Sequence, residues 1–63
     1  MKKLKVEDLE ENESYLIETG YNWSPSGFDI AEFSMGALIS QSNCSDLLKG
    51  KYVKTIYELP IVD

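Results

Sequence analysis

Cys44 is the only cysteine in this 63-residue chain, and there is no histidine. Those two facts narrow what the chain can fold into more than any motif it carries. A chain so short buries only about 60% of the surface its unfolded form exposes. Its balance of apolar burial against ordering entropy, at roughly 1.5 kcal/mol per residue, comes out near zero. Small domains commonly close that gap with disulfides, a structural metal or a second subunit. A single thiol forms no disulfide within the chain, and without histidine it makes no structural zinc site. Neither a metal nor another cofactor is therefore expected. Association remains, and a homo-oligomer is the expectation.

Apolar spacing sets the fold class. Residues 15–17, 28–33 and 52–59 do not sustain a three-four step over three turns, so strands are expected and not helices. Tyr15-Leu16-Ile17-Glu18-Thr19 is β-branched and aromatic, a good first strand. Phe28 to Phe33 reads as the second, and Ser34-Met35-Gly36 as a tight turn into the third, Ala37 to Gln41. Tyr52 to Leu59 is the longest strand candidate, stopped by Pro60. Leu4 to Leu9 is an extended lead-in or a single helical turn, and Glu10 to Ser14 a polar turn. Two longer connections remain. Gly20 to Gly27 is a loop punctuated by glycine at each end and by Pro25. In Ser42 to Lys51, Ser45 is placed to cap one turn, Asp46-Leu47-Leu48-Lys49, ended by Gly50. The expected protein is a single domain over residues 1–63. It is mainly β, a small four-stranded antiparallel meander or open barrel with at most one short helical turn.

A sheet with one wet face should alternate cleanly, and this one does not. In the last strand Val53, Thr55, Tyr57 and Leu59 take one side while Tyr52, Lys54, Ile56 and Glu58 take the other. In the second, Phe28 and Ile30 point one way, Ala31 and Phe33 the other. Large apolar groups on both faces call for a second cover, either the Asp46–Lys49 turn or another subunit. Phe33, Tyr52 and Ile56 are the candidate interface residues.

The charges argue against whole classes of partner. All six basic residues are lysine, at positions 2, 3, 5, 49, 51 and 54, and the net charge is −5. Duplex binding needs clustered lysine and arginine to displace counterions, so no direct nucleic-acid binding is expected. No apolar run approaches membrane-spanning length, and Glu7 and Asp8 stand where a signal peptide's apolar stretch should run. No membrane association is expected. A lone thiol suits the cytoplasm.

Catalytic groups are scarce. Without histidine there is no Ser-His or Cys-His couple. The glycines at 20, 27, 36 and 50 make neither a dinucleotide fingerprint nor a P-loop. Carboxylate pairs exist, yet Glu7 to Glu13 reads as a solvated acidic face, and no enzyme is expected. The richest stretch is Gly20-Tyr21-Asn22-Trp23-Ser24-Pro25-Ser26-Gly27, two large aromatics among small polar residues. Binding loops favour this composition because aromatics give contact area at low entropic cost. Tyr21, Asn22, Trp23 and Ser24 are the candidate ligand or partner residues, with Lys51 available for an anionic group. The bland reading is that Trp23 folds back over the core. The two readings are compatible.

Near the end, Val53-Lys54-Thr55-Ile56-Tyr57-Glu58-Leu59-Pro60 resembles the closing strand of short uncharacterised β-rich proteins of bacteriophages and prophages. Those begin with Trp and Pro, pass through a strand resembling Phe28 to Phe33 and a turn like that at Gly36, and close on Val-x-x-Trp-x-x-Leu-Pro. Here Ile56 stands in place of the tryptophan, and Trp23-Ser24-Pro25 lies inside a loop instead of opening the domain. The resemblance spans at most residues 15–60 and brings no catalytic residues. It implies a phage accessory protein in the host cell cytoplasm. The expected function is a non-enzymatic binding protein that inhibits a host defence system, by sequestering a small nucleotide-like signal or by binding a host protein. The alternatives are an acidic nucleic-acid mimic acting as a protein inhibitor, and a structural or assembly accessory protein.

Overall fold

The computed structural model describes residues 2–59. Five antiparallel strands form one open sheet: β1 (Lys3–Leu4), β2 (Ser14–Glu18), β3 (Phe28–Ser34), β4 (Ala37–Ser40) and β5 (Thr55–Glu58), in the order β1-β5-β2-β3-β4. The sheet thus has five strands, not the four expected. The added strand is a two-residue edge in which Lys3 and Leu4 pair with Tyr57 and Ile56. It is followed by a single 3-10 turn, Val6–Asp8. That turn is closed reciprocally, Asp8 N–H donating to the Lys5 carbonyl and Lys5 N–H to the Asp8 carboxylate. Among the described residues no helix is long and apolar enough to cross a membrane.

The connectivity also departs from a meander. The run β2-β3-β4 is sequential, but β5 returns to the free side of β2. Placing the last strand beside the first of three consecutive ones gives a Greek key. To get there the chain must cross one face of the sheet, and residues 41–54 do so carrying Leu47, Leu48 and Val53 against it. That crossing decides which face is the core. Tyr15, Ile17, Ala31, Leu38, Leu47 and Ile56 are buried there, with Leu4, Leu9, Trp23 and Phe33 packed around them.

Local turn chemistry fixes the register. Met35 and Gly36 both take positive φ, 52° and 79°, between Ser34 and Ala37, which pair. This is the two-residue primed hairpin whose twist suits the flanking strands. At the same end of β3, on its β2 side, Asn12 (φ 67°) is the third residue of the turn from Glu10 to Glu13. Asn12 N–H donates to the Phe33 carbonyl while Phe33 N–H donates to the Glu13 carbonyl. Two residues therefore oppose one, a bulge that begins the β2–β3 pairing.

The expected turn at Asp46–Lys49 forms one residue later, with Gly50 N–H donating to the Asp46 carbonyl. Asp46, not Ser45, accepts the free N–H groups of Leu48 and Lys49, and its backbone bridges to Ile39 at the outer edge of β4. The turn then closes with Tyr52 N–H on the Leu47 carbonyl and Lys51 N–H on the Leu48 carbonyl. This is the Schellman arrangement, with Lys51 (φ 61°) in the left-handed seat where glycine is usual. Tyr52 is committed to that turn, so β5 starts at Thr55 and not at Tyr52. Pro60, expected to stop the last strand, lies outside the described residues.

Candidate functional site

The site grows from a carboxylate on the wrong side of a sheet. Asp29 shares the core-facing side of β3 with the buried Ala31, and it pairs across to Ile17, which is fully enclosed. An acid there requires donors. Its Oδ2 accepts the indole N–H of Trp23 at 2.8 Å and the hydroxyls of Ser40 and Ser42 at 2.5 and 2.8 Å. Its Oδ1 accepts the backbone N–H of Ile30 at 2.8 Å. Burial works to raise the carboxyl's pKa. The bonds from Ser40, Trp23, Ser42 and Ile30 outweigh it and hold the group below its ordinary value. One charge thereby ties the 20–27 loop, through Trp23, to the start of the 41–54 crossing, through Ser40 and Ser42.

The loop is closed by its own backbone. Thr19 and Gly20 both donate to the Gly27 carbonyl, and Gly27 donates to that of Ser24. Gly20 and Gly27 take φ of 82° and 79°, which side-chain-bearing residues adopt at a cost. So anchored, Trp23 is half-buried on the core and meets Tyr52 at a ring-centroid distance of 4.6 Å with the planes tilted by 46°. A tilted offset pair is a favoured aromatic geometry. Gly50 makes room for it. A Cβ on Gly50 would lie 2.7 Å from the Tyr52 ring. Tyr21 behaves differently. Its ring rests on Gly27, 3.6 Å from where a Cβ would be, while the residue as a whole is 81% exposed. The end of the Lys54 side chain lies across Gly20, and Lys51 stands exposed at the close of the adjoining turn.

Of the residues expected at a ligand face, Tyr21 and Asn22 are exposed and Trp23 and Ser24 partly so, all in one loop. Lys51 sits next to Tyr52, the partner of Trp23. Trp23 packs on the core, and its ring also meets that of Tyr52. The three expected interface residues do not share one surface. Ile56 is enclosed in the core at 3% exposure, Phe33 packs half-buried against it, and Tyr52 belongs to the aromatic cluster. Among the described residues nothing covers the sheet's opposite face. It carries Leu16, Phe28, Ile30, Ile39 and Tyr57, and an open depression of about 400 Å³ lies at its Phe28–Gln41 end.

Sequence reasoning passed over Asp29. The signal was present: a lone acid between Phe28 and Ile30, in step with Ala31 and Phe33, in a chain with one tryptophan to donate to it. Comparison with protein-family models, with curated proteins and with solved structures finds no match to this chain.

Proposed function

We propose that this chain is a non-enzymatic, homo-oligomeric binding protein, of phage origin and at work in the host cell cytoplasm. In this reading it antagonises a host defence system by sequestering a small nucleotide-like signal. The observation that carries the proposal is the exposed Tyr21 ring backed by Gly27, in a loop where Lys54 lies across Gly20 and Trp23 meets Tyr52, the residue after Lys51. A flat aromatic surface offers stacking to a base, and lysines without arginine supply point charges suited to phosphate. The Asp29 network favours the same reading, because a site whose scaffold is already held loses less entropy on binding.

The acidic stretch gives the mimic reading less support. Its carboxylates are divided between the 3-10 turn, the 10–13 turn and β2, and Glu11 is occupied with the backbone N–H of Met35 at 3.0 and 3.1 Å.

Native mass spectrometry of the full chain after mixing with cell extract tests the proposal. A retained small molecule with the mass of a nucleotide is expected. A clean apo mass, with a partner protein captured in its place, would move the function to protein inhibition.

A further inference from the structure

The donors that converge on Asp29 are not equivalent. Ser40 and Ser42 hold each other as well as the carboxylate. Their hydroxyls lie 2.8 Å apart with either able to donate, and Ser42 N–H donates to the Ser40 hydroxyl. A hydroxyl both donates and accepts, so this pair keeps partners whatever Asp29 offers. Trp23 has no such reserve. Its indole N–H only donates, and its acceptor is Asp29 Oδ2 at 2.8 Å. The turn that carries Tyr21 is otherwise held by backbone bonds from Trp23 and Ser24 to the Gly20 carbonyl, at 3.3 and 3.4 Å. These are long for N–H···O bonds, whereas a bond to a charged acceptor is roughly twice as strong as a neutral one. The charge on Asp29 is therefore the firmer hold on the turn.

We infer that Asp29 is the positioning residue of the Tyr21 loop: its charge, taken up by the Trp23 indole, keeps the Tyr21 ring on Gly27, and loss of that charge frees the ring while the sheet stays folded. The inference rests on the reading of Tyr21 as the binding surface, and it makes that surface charge-dependent. Other ionisable groups stand apart. Glu18 of β2 and Glu32 of β3 lie on the opposite face of the sheet, and β4 carries none. The Tyr21 ring is on Gly27, and the Lys54 side chain ends at Gly20. In the crossing, Asp46 is engaged with Leu48 and Lys49, while Cys44, Lys49 and Lys51 are exposed. Burial and four hydrogen bonds act on the Asp29 carboxyl, with no neighbouring charge among the causes.

The seat of the ring can be read without a ligand. A Cβ on Gly27 would lie 3.6, 3.8 and 3.8 Å from three adjacent atoms of the Tyr21 ring. Such near-equal distances put it over the ring face. The Gly27 α-proton in that position is therefore shielded by the ring current, and NMR of the full chain well below its unfolding temperature should show it shifted upfield. In Asp29→Asn the shift should collapse toward that of an ordinary glycine, while the amides of Ile17 and Leu38 keep their native positions. Trp23→Phe, which keeps a ring and loses the N–H, should do the same. Ser42→Ala, which leaves Trp23 its acceptor, should retain the shift. If Asp29→Asn fails to fold, acid titration of the wild type supplies the same readout, with the shift lost below about pH 4. A Gly27 shift that survives in Asp29→Asn, in Trp23→Phe or in acid would overturn the inference. So would Ile17 and Leu38 losing their native positions together with Gly27 in every case, which makes Asp29 a general stabiliser. A shift that behaves as expected in a chain that binds no nucleotide supports the positioning and removes the binding reading. Nucleotide binding with a Gly27 shift indifferent to Asp29 does the reverse.

Discussion

Replacing Asp29 by asparagine should unpin both loops that cover the core. In the wild-type protein the indole N–H of Trp23 and the hydroxyls of Ser40 and Ser42 all converge on one carboxylate oxygen. An asparagine that keeps its carbonyl toward the Ile30 N–H turns its NH₂ toward those donors. The two serines can rotate and accept, but the indole N–H has no lone pair to offer. Trp23 then loses its partner in a half-buried position. Hydrogen bonds to a charged group contribute about 1.5–3 kcal/mol, and a donor left unsatisfied costs about 1–3 kcal/mol. With partial exposure taken into account, a loss of about 2 kcal/mol is expected. A domain of this size has roughly 3–9 kcal/mol in total, and the loss should lower Tm by roughly 8–16 °C. Thermal unfolding followed by Trp23 fluorescence measures it. The pH dependence supplies the sign. The Asp29 carboxyl is held below its ordinary value, so its stabilising contribution is fully present above the unfolded value of about 3.9. It is lost as pH falls through the lower folded value. The gap between wild type and Asp29→Asn should therefore narrow on acidification below about pH 4. Equal melting temperatures at pH 7, or a gap that does not close in acid, would refute the reasoning.

The turns yield further outcomes. Met35 sits at the first seat of a primed hairpin turn with φ 52° and its side chain in solvent, so Met35→Asn should stabilise by about 0.5–1 kcal/mol in urea unfolding. Lys51→Gly should do the same at the left-handed end of the 47–52 turn. Gly50→Ala has the opposite sign. Its methyl group would stand 2.7 Å from the Tyr52 ring, so the ring must leave Trp23, at a cost of about 1–2 kcal/mol and with a changed tryptophan emission spectrum.

The strands of the local hairpins were legible because their signals are local. Gly36 after Ser34-Met35 marks a turn, and Tyr15 to Thr19 and Phe28 to Phe33 are rich in the β-branched and aromatic residues that strands favour. The opposed faces of β3 also followed from alternation, and Ala31 and Ile30 do take opposite sides. What escaped is what depends on distant pairing. β1 is two residues long and exists only because β5 offers it an edge. The Greek key return depends on Leu47, Leu48 and Val53 covering the sheet, and no short window contains that information. Glycine misled at one place: Gly50 reads as the end of a helical turn, yet it is small because Tyr52 lies over it, and Lys51 takes the left-handed seat. In the candidate site, the exposure of Tyr21 could be read from a loop rich in Ser, Asn, Pro and Gly. The half-buried acid that steadies the loop needed the fold to be seen.

Titration of the purified chain with nucleotides, read by calorimetry and by Trp23 emission, tests the central claim most directly. Tyr21 rests on Gly27 and makes no contribution to the buried core, so Tyr21→Ala should leave Tm unchanged. Stacking on an aromatic ring is worth about 1–3 kcal/mol per base, so the same variant should weaken nucleotide binding about tenfold or more. Saturable binding that collapses in Tyr21→Ala at unchanged Tm is the predicted result. Absence of binding by the wild type, or equal binding by both chains, would contradict it.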